Sequence, residues 1–181
     1  MIDNQLQFEK LYHEHKILVY NVALNYLQNT EDAEEITQDV FVNVYNSLSN
    51  FNKKSSYKTW IYRITINQCL DYIKYKNSQK RFFIFGKKSK NDSEYMNKAT
   101  FEHPGILMEK QEDAKILFEI INTLTENQKT VFLLSKLHDL SNSEISEIMQ
   151  LSISSVESLI FRAKEALKAK LSKKFTNYRK K

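Results

Sequence analysis

This chain contains almost no residues that break a helix, and the few it has are gathered in one place. Two glycines and one proline occur among 181 residues, and Gly86, Pro104 and Gly105 all fall between positions 86 and 105. Tight turns draw on glycine for positive φ and on proline for a preset φ, whereas helix interiors exclude both. On either side of that interval apolar residues recur at three- and four-residue steps, the period of a helix with one buried face. The expected fold is therefore all-α, two small helical domains joined by a flexible linker.

The periodicity places the individual helices. Leu6 to Leu27 presents Phe8, Leu11, Tyr12, Val19, Val22, Ala23, Tyr26 and Leu27 to a core. Asn29, Thr30, Glu31 and Asp32 supply cap candidates and first-turn acids for a second helix over about 31–48. That helix buries Ala33, Ile36, Val40, Val44 and Leu48. A polar turn, Asn52 to Ser56, precedes a third helix from Tyr57 to Lys76. Residues 78–105 read as linker, except that Phe82, Phe83, Ile84 and Phe85 form an apolar patch. The patch either folds back on the first domain or offers a sticky surface to a partner. Helices over Ile106–Leu124 and Glu126–Leu137 follow. The expected division is a first domain over 1–80, a linker over 81–108, a second domain over 109–173 and a basic tail over 174–181.

Charge is segregated along the chain. The overall +5 resolves into −6 over residues 1–50, +9 over 51–98, −6 over 99–161 and +8 over 162–181. Two basic blocks separated by an acidic one imply two separate polyanion contacts. Cys69 is the only cysteine, which excludes an internal disulfide framework and suits a reducing compartment. The opening residues lack a basic region followed by an apolar run, so no signal peptide is expected. No apolar stretch reaches membrane-spanning length. A cytoplasmic protein is expected.

Residues 141–167 carry the most informative motif. Ile145, Ile148 and Met149 lie at helical spacing, with Ser146 small enough for close helix approach. Leu151 and Ile153 flank a turn, and Ser154 or Ser155 is positioned to cap the next helix. That helix buries Val156, Leu159, Ile160, Ala163 and Leu167, while Glu157, Ser158, Phe161, Arg162 and Lys164 lie near its opposite side and its flanks. This is a helix-turn-helix whose second helix has the polar, partly basic surface that major-groove reading requires. The same pattern would also serve a plain helical hairpin.

The first basic block differs in character. Between Tyr57 and Arg81, Tyr57, Trp60, Tyr62, Tyr72 and Tyr75 alternate with Lys58, Arg63, Lys74, Lys76, Lys80 and Arg81. Flat rings among cations suit unstacked bases, which regain ~1–3 kcal/mol each by stacking on aromatics. Trp60 and Ile64 also fit an ordinary core. Duplex binding by one domain and single-strand binding by another point to bacterial promoter recognition.

At this point the residues resemble a known family, the extracytoplasmic-function (ECF) branch of the sigma-70 family of bacterial sigma factors. The first domain is similar through DAEEITQDVFVNVYNSLSNF (32–51) and SSYKTWIYRITINQCLDYI (55–73). The second is similar through LTENQKTVFLLSKLHDLSNSEISEIMQLSISSVESLIFRAKEALKAKL (124–171). The resemblance implies a factor that binds core RNA polymerase and directs promoter-specific initiation. It implies that Glu35, Gln38, Asp39 and Asn43 dock on the clamp of the polymerase's largest subunit, with the flap of the second-largest subunit as a further contact. An acidic face on a basic protein also suits a basic protein partner better than DNA. Lys54, Ser55, Ser56, Trp60, Arg63 and Asn67 would hold the melted −10 strand, with Lys53 in the same base-capturing turn. Ser154, Ser155, Glu157, Ser158, Phe161, Arg162 and Lys164 would face the −35 element. An anti-sigma factor is the implied regulator, either free or holding the chain at the inner membrane face. The sequence departs from the family pattern at Glu157 and Leu159, where members often carry basic residues, and near Gln150, where they often carry glycine.

No catalytic constellation is expected, and no small-molecule substrate, cofactor or metal. His13 and His15 do not share a helical face, Cys69 lies on another helix, and no glycine-rich phosphate loop exists. The competing reading is an autonomous helix-turn-helix regulator. It would need a dimer surface and would have no use for the aromatic-basic helix.

Overall fold

A computed structural model describes residues 2–86 and 111–178, with side chains over 4–79 and 112–173. The chain divides into two units, Met1–His103 and Pro104–Lys181. All regular structure in the described residues is helical: α1 (Ile2–Leu27), α2 (Thr30–Ser47) followed by a 3-10 turn (Leu48–Asn50), α3 (Tyr57–Gly86), α4 (Gln111–Ile121), α5 (Glu126–Leu137), α6 (Asn142–Met149) and α7 (Ile153–Tyr178).

The first unit packs α1, α2 and α3 against one another. Its core is Leu11, Val19, Val22, Ala23 and Leu24 from α1, Ala33, Ile36, Val40, Phe41 and Val44 from α2, and Ile61, Tyr62, Ile66 and Cys69 from α3. Asn29 caps α2 by accepting from the Asp32 N–H at 2.8 Å, as its position before two acids suggests. Thr65 is wholly buried, and its hydroxyl donates to the Ile61 carbonyl at 2.8 Å, so no polar group is stranded there. Tyr12, expected in the core, is exposed; its ring instead packs edge-on to Phe41 at 4.8 Å. Phe8 joins the same aromatic cluster, 5.2 Å from exposed Tyr45.

The second unit is built on α5 and α7, with α4 and α6 packed beside them. Val131, Leu133 and Leu134 of α5 meet Val156, Ile160, Ala163 and Leu167 of α7 in its core. Both α5 and α6 begin with reciprocal capping boxes, Thr125 with Gln128 and Ser141 with Glu144. α4 ends at Ile121 rather than at the expected Leu124, because Thr123 and Leu124 donate back three residues to Ile120 and Ile121. Buried Lys129 donates to Asn122 at 2.7 Å, and Lys170 reaches the Thr123 carbonyl at 3.4 Å. Two cations thus sit just beyond the C-terminal end of α4, where positive charge is favourable.

Two boundaries differ from the sequence reading. α3 runs past Lys76 to Gly86, so the start of the expected linker is helical. Nothing between Lys76 and Gly86 breaks a helix, and polar composition there was no stop signal. The patch Phe82–Phe85 falls in these last turns, and its side chains lie outside the described residues. Ser152, and not Ser154 or Ser155, caps α7: its Oγ accepts from the Ser155 N–H at 3.2 Å. Ile153, expected to flank the turn, is the first helical residue of α7.

Candidate nucleic-acid interface

The helix-turn-helix is α6, a three-residue turn and α7. Gln150 closes α6 in the left-handed region at φ 56°, and the Leu151 N–H returns to the Ser146 carbonyl at 3.2 Å. The Ser146 hydroxyl donates to the Leu151 carbonyl, so this small residue ties the turn as well as admitting a neighbour. Ser154, Ser155, Glu157, Ser158, Phe161, Arg162 and Lys164 are all exposed.

They do not share one face. Ser154, Ser158 four residues on, and Phe161 and Arg162 three and four beyond that lie on the side opposite Val156, Ile160, Ala163 and Leu167. Phe161 stands 66% exposed there, a large apolar ring held in solvent beside a guanidinium. Ser155 has its hydroxyl 2.8 Å from Ser152 and flanks this row. Glu157 turns toward α6, where the Asn142 amide donates to it at 3.4 Å. Lys164, two turns further along, lines an apolar depression with Leu117, Phe132, Leu167 and Leu171.

In the first unit the structure gathers a second constellation. Trp60, Arg63 and Asn67 fall at steps of three and four on α3, so they share one side of it. Asn67 is exposed, and Trp60 and Arg63 are half-buried. Trp60 is not a core residue. Its ring lies 4.8 Å from Phe51, which itself stacks on Tyr57 at 4.5 Å. Phe51 is not among the expected residues, although an aromatic directly before a polar turn was the signal for this ring cluster. The turn holds Lys53 in the left-handed region at φ 56°, and the Lys54 N–H donates to the Asn52 side chain at 3.2 Å. The Ser56 hydroxyl is already engaged as the cap of α3, accepting from the Thr59 N–H and donating to the Thr59 hydroxyl, each at 3.0 Å. Lys54 and Ser55 present no such commitment in the turn itself.

The third group lies on α2. Glu35, Gln38 and Asp39 are exposed and Asn43 is half-buried. Val42, which follows Gln38 by four and Asp39 by three, is 58% exposed in their midst. The acidic face therefore has an apolar centre, a feature that the polar periodicity concealed.

Comparison with known proteins decides the family. Residues 11–79 match the family described as Sigma-70 region 2, and residues 114–167 match Sigma-70, region 4. The ECF RNA polymerase sigma-E factor of Haemophilus influenzae is 30% identical over 141 residues, covering 77% of this chain and 75% of that protein. The chain belongs to the ECF sigma factors of the sigma-70 family.

Sigma factor SigW of Bacillus subtilis is 27% identical over 172 residues, spanning 87% of this chain and 84% of its own length. Two solved structures share the fold. CnrH, in complex with the cytosolic domain of CnrY, is 20% identical with a TM-score of 0.64, covering 93% of this chain and 89% of its own. The sigma factor RpoE of Bartonella quintana, in complex with the anti-sigma factor NepR, is 19% identical with a TM-score of 0.62, covering 92% and 97%. The first of the two constellations above thus falls within region 4 of this sigma factor, and the second within region 2. An autonomous regulator is not favoured, since region 2 is no part of one. Among the described residues, no three His, Cys, Asp or Glu side chains come together as a metal site, and no helix is long and apolar enough to cross a membrane.

Proposed function

We propose that this ECF sigma factor binds core RNA polymerase and confers promoter-specific initiation by reading two DNA elements with two separate surfaces. The observation that carries the reading is the pairing, on one chain, of an exposed Ser158–Phe161–Arg162 face on α7 with a Trp60–Arg63–Asn67 face on α3. The first suits base edges and methyl groups in a major groove. The second combines rings, a cation and an amide, as a separated strand requires.

These placements support a role for each residue. Ser154, Ser155, Glu157, Ser158, Phe161, Arg162 and Lys164 serve the −35 element, the outward row and Glu157 facing bases, and Ser155 and Lys164 touching backbone. Lys54, Ser55, Ser56, Trp60, Arg63 and Asn67 serve the melted −10 strand, with Ser56 acting through the shape of its turn. Glu35, Gln38, Asp39 and Asn43 dock on the polymerase clamp, and Val42 adds apolar area to that contact. The first domain spans 1–80 and the second 109–173, with 81–108 as linker and 174–181 as a basic tail along the phosphates. The apolar depression beside Lys164 suits the polymerase flap. The chain works in the cytoplasm, restrained by an anti-sigma factor. It breaks no bond itself; binding energy from two DNA elements positions the polymerase, which carries out the chemistry.

The test is run-off transcription from fragmented genomic DNA of the source organism, using core polymerase with and without the protein. Discrete start sites that depend on the protein and share two upstream blocks at fixed spacing are the expected result. Absence of any dependent start, together with specific duplex binding by the protein alone, rules the reading out.

A further inference from the structure

Glu157 is the single acid among the seven α7 residues assigned to DNA, and it sits in the first two turns of that helix. An acid beside phosphates is unfavourable unless its charge is directed to a donor. The structure directs it. The Ser141–Glu144 capping box fixes the start of α6, with the Ser141 N–H donating to Glu144 at 2.9 Å. Asn142 is the next residue, so its side chain is delivered by a fixed backbone. Its Nδ2 lies 3.4 Å from Glu157 Oε1. One carboxylate oxygen thereby meets an amide on the neighbouring helix, and Glu157 is exposed on α7 at helical spacing from Ser154, three residues before, and Phe161, four after.

We infer that Glu157, positioned by Asn142, is a specificity-determining residue that selects a cytosine at one position of the upstream element. This rests on reading α7 as the helix that faces that element. A carboxylate only accepts hydrogen bonds, so it must meet a base edge that donates. In the major groove guanine presents N7 and O6 and thymine presents O4, all acceptors that repel it. Adenine sets its N6 donor next to the N7 acceptor. Cytosine presents N4–H₂ with no acceptor beside it on its own edge, and is the base an oriented carboxylate fits. Asn142 acts through Glu157 and is a positioning residue: its amide donates to one carboxylate oxygen, without reading a base.

The experiment is selection of transcription-competent promoters from a library randomised across the upstream element, using core polymerase with full-length wild-type, E157Q or N142A protein. Wild type should enrich cytosine at one position by about tenfold, the scale of one good base contact. E157Q, whose amide matches adenine N6 and N7, should shift that position toward adenine and leave the others unchanged. N142A should weaken the cytosine preference roughly threefold at the same position alone. A uniform loss across all positions in N142A would indicate a merely structural role and overturn the positioning assignment. A wild-type upstream block whose base preferences are unchanged in both variants overturns the inference while leaving the sigma reading intact. No upstream block in wild type overturns both.

Discussion

Asp32 at the start of α2 accepts a 2.6 Å hydrogen bond from the Tyr72 hydroxyl of α3, forty residues away in sequence. Lys76 completes the group. Its ammonium donates to the other Asp32 oxygen and lies 4.8 Å above the Tyr72 ring. Asp32 is also the residue whose N–H Asn29 caps, so one position ties the α2 N-terminus to the middle of α3. Burial and the adjoining Asp32 carboxylate raise the Tyr72 pKa, so the hydroxyl keeps its proton throughout the neutral range.

Y72F should destabilise the first unit by about 1–2 kcal/mol, the range for a hydrogen bond to a charged group that retains some solvent. K76A should cost less, under about 1 kcal/mol, because the lysine is half in water. Trp60 is the only tryptophan, so urea unfolding followed by its fluorescence reports this unit alone. Equal costs for the two substitutions would contradict the arrangement.

Gln150 occupies a left-handed position for which glycine has no steric penalty. Q150G should stabilise the second unit by about 0.5–1 kcal/mol, and Q150V should destabilise it by more than that. Thermal unfolding monitored by circular dichroism would show the midpoints moving in opposite directions.

His138, at the C-terminal end of α5, has its pKa lowered to about 4 by burial, against a smaller raising influence of Asp139. Its unfolded value is near 6.5, so between these two values the unfolded chain binds the extra proton. Stability of the second unit should fall as pH drops from about 6.5 toward 4, by up to roughly 3 kcal/mol from this group. H138Q should lack that component. Urea midpoints at pH 7 and pH 5 decide it: a wild-type loss no larger than that of H138Q removes His138 as the cause.

The two DNA faces should separate in their consequences. W60A and N67A should reduce permanganate reactivity of opened promoter thymines, with W60A costing ~1–3 kcal/mol if one base stacks there. W60F, which keeps a ring against Phe51, should recover part of the effect. R162A should instead weaken duplex binding by holoenzyme by ~1–3 kcal/mol and relax the base preference at one position of the upstream element. The same defect from both substitutions would mean that the surfaces do not divide the task.

Helix identity in this chain is local and was readable. Thr125 with Gln128 and Asn29 with Asp32 announce their helix starts, since a capping side chain bonds within its own turn. The buried row of Val156, Ile160, Ala163 and Leu167 follows from period alone, and so does the outward row that includes Ser158 and Arg162. Near misses came where two local options had similar energies. Ser152, Ser154 and Ser155 are all good caps, and only the packing of α7 selects the first.

What the sequence alone determined was the all-α architecture, its division around the glycine and proline interval, and the residues available to each exposed polar face. Only the tertiary structure decided which of those residues act together. It placed Phe51 against Trp60 across a turn, left Val42 and Phe161 in solvent, bound Asp32 to Tyr72, and turned Glu157 toward Asn142. The physical reason is range. Caps and amphipathic stripes are set within one or two turns of chain, whereas the meeting of side chains from different helices depends on how those helices pack, which no local pattern encodes.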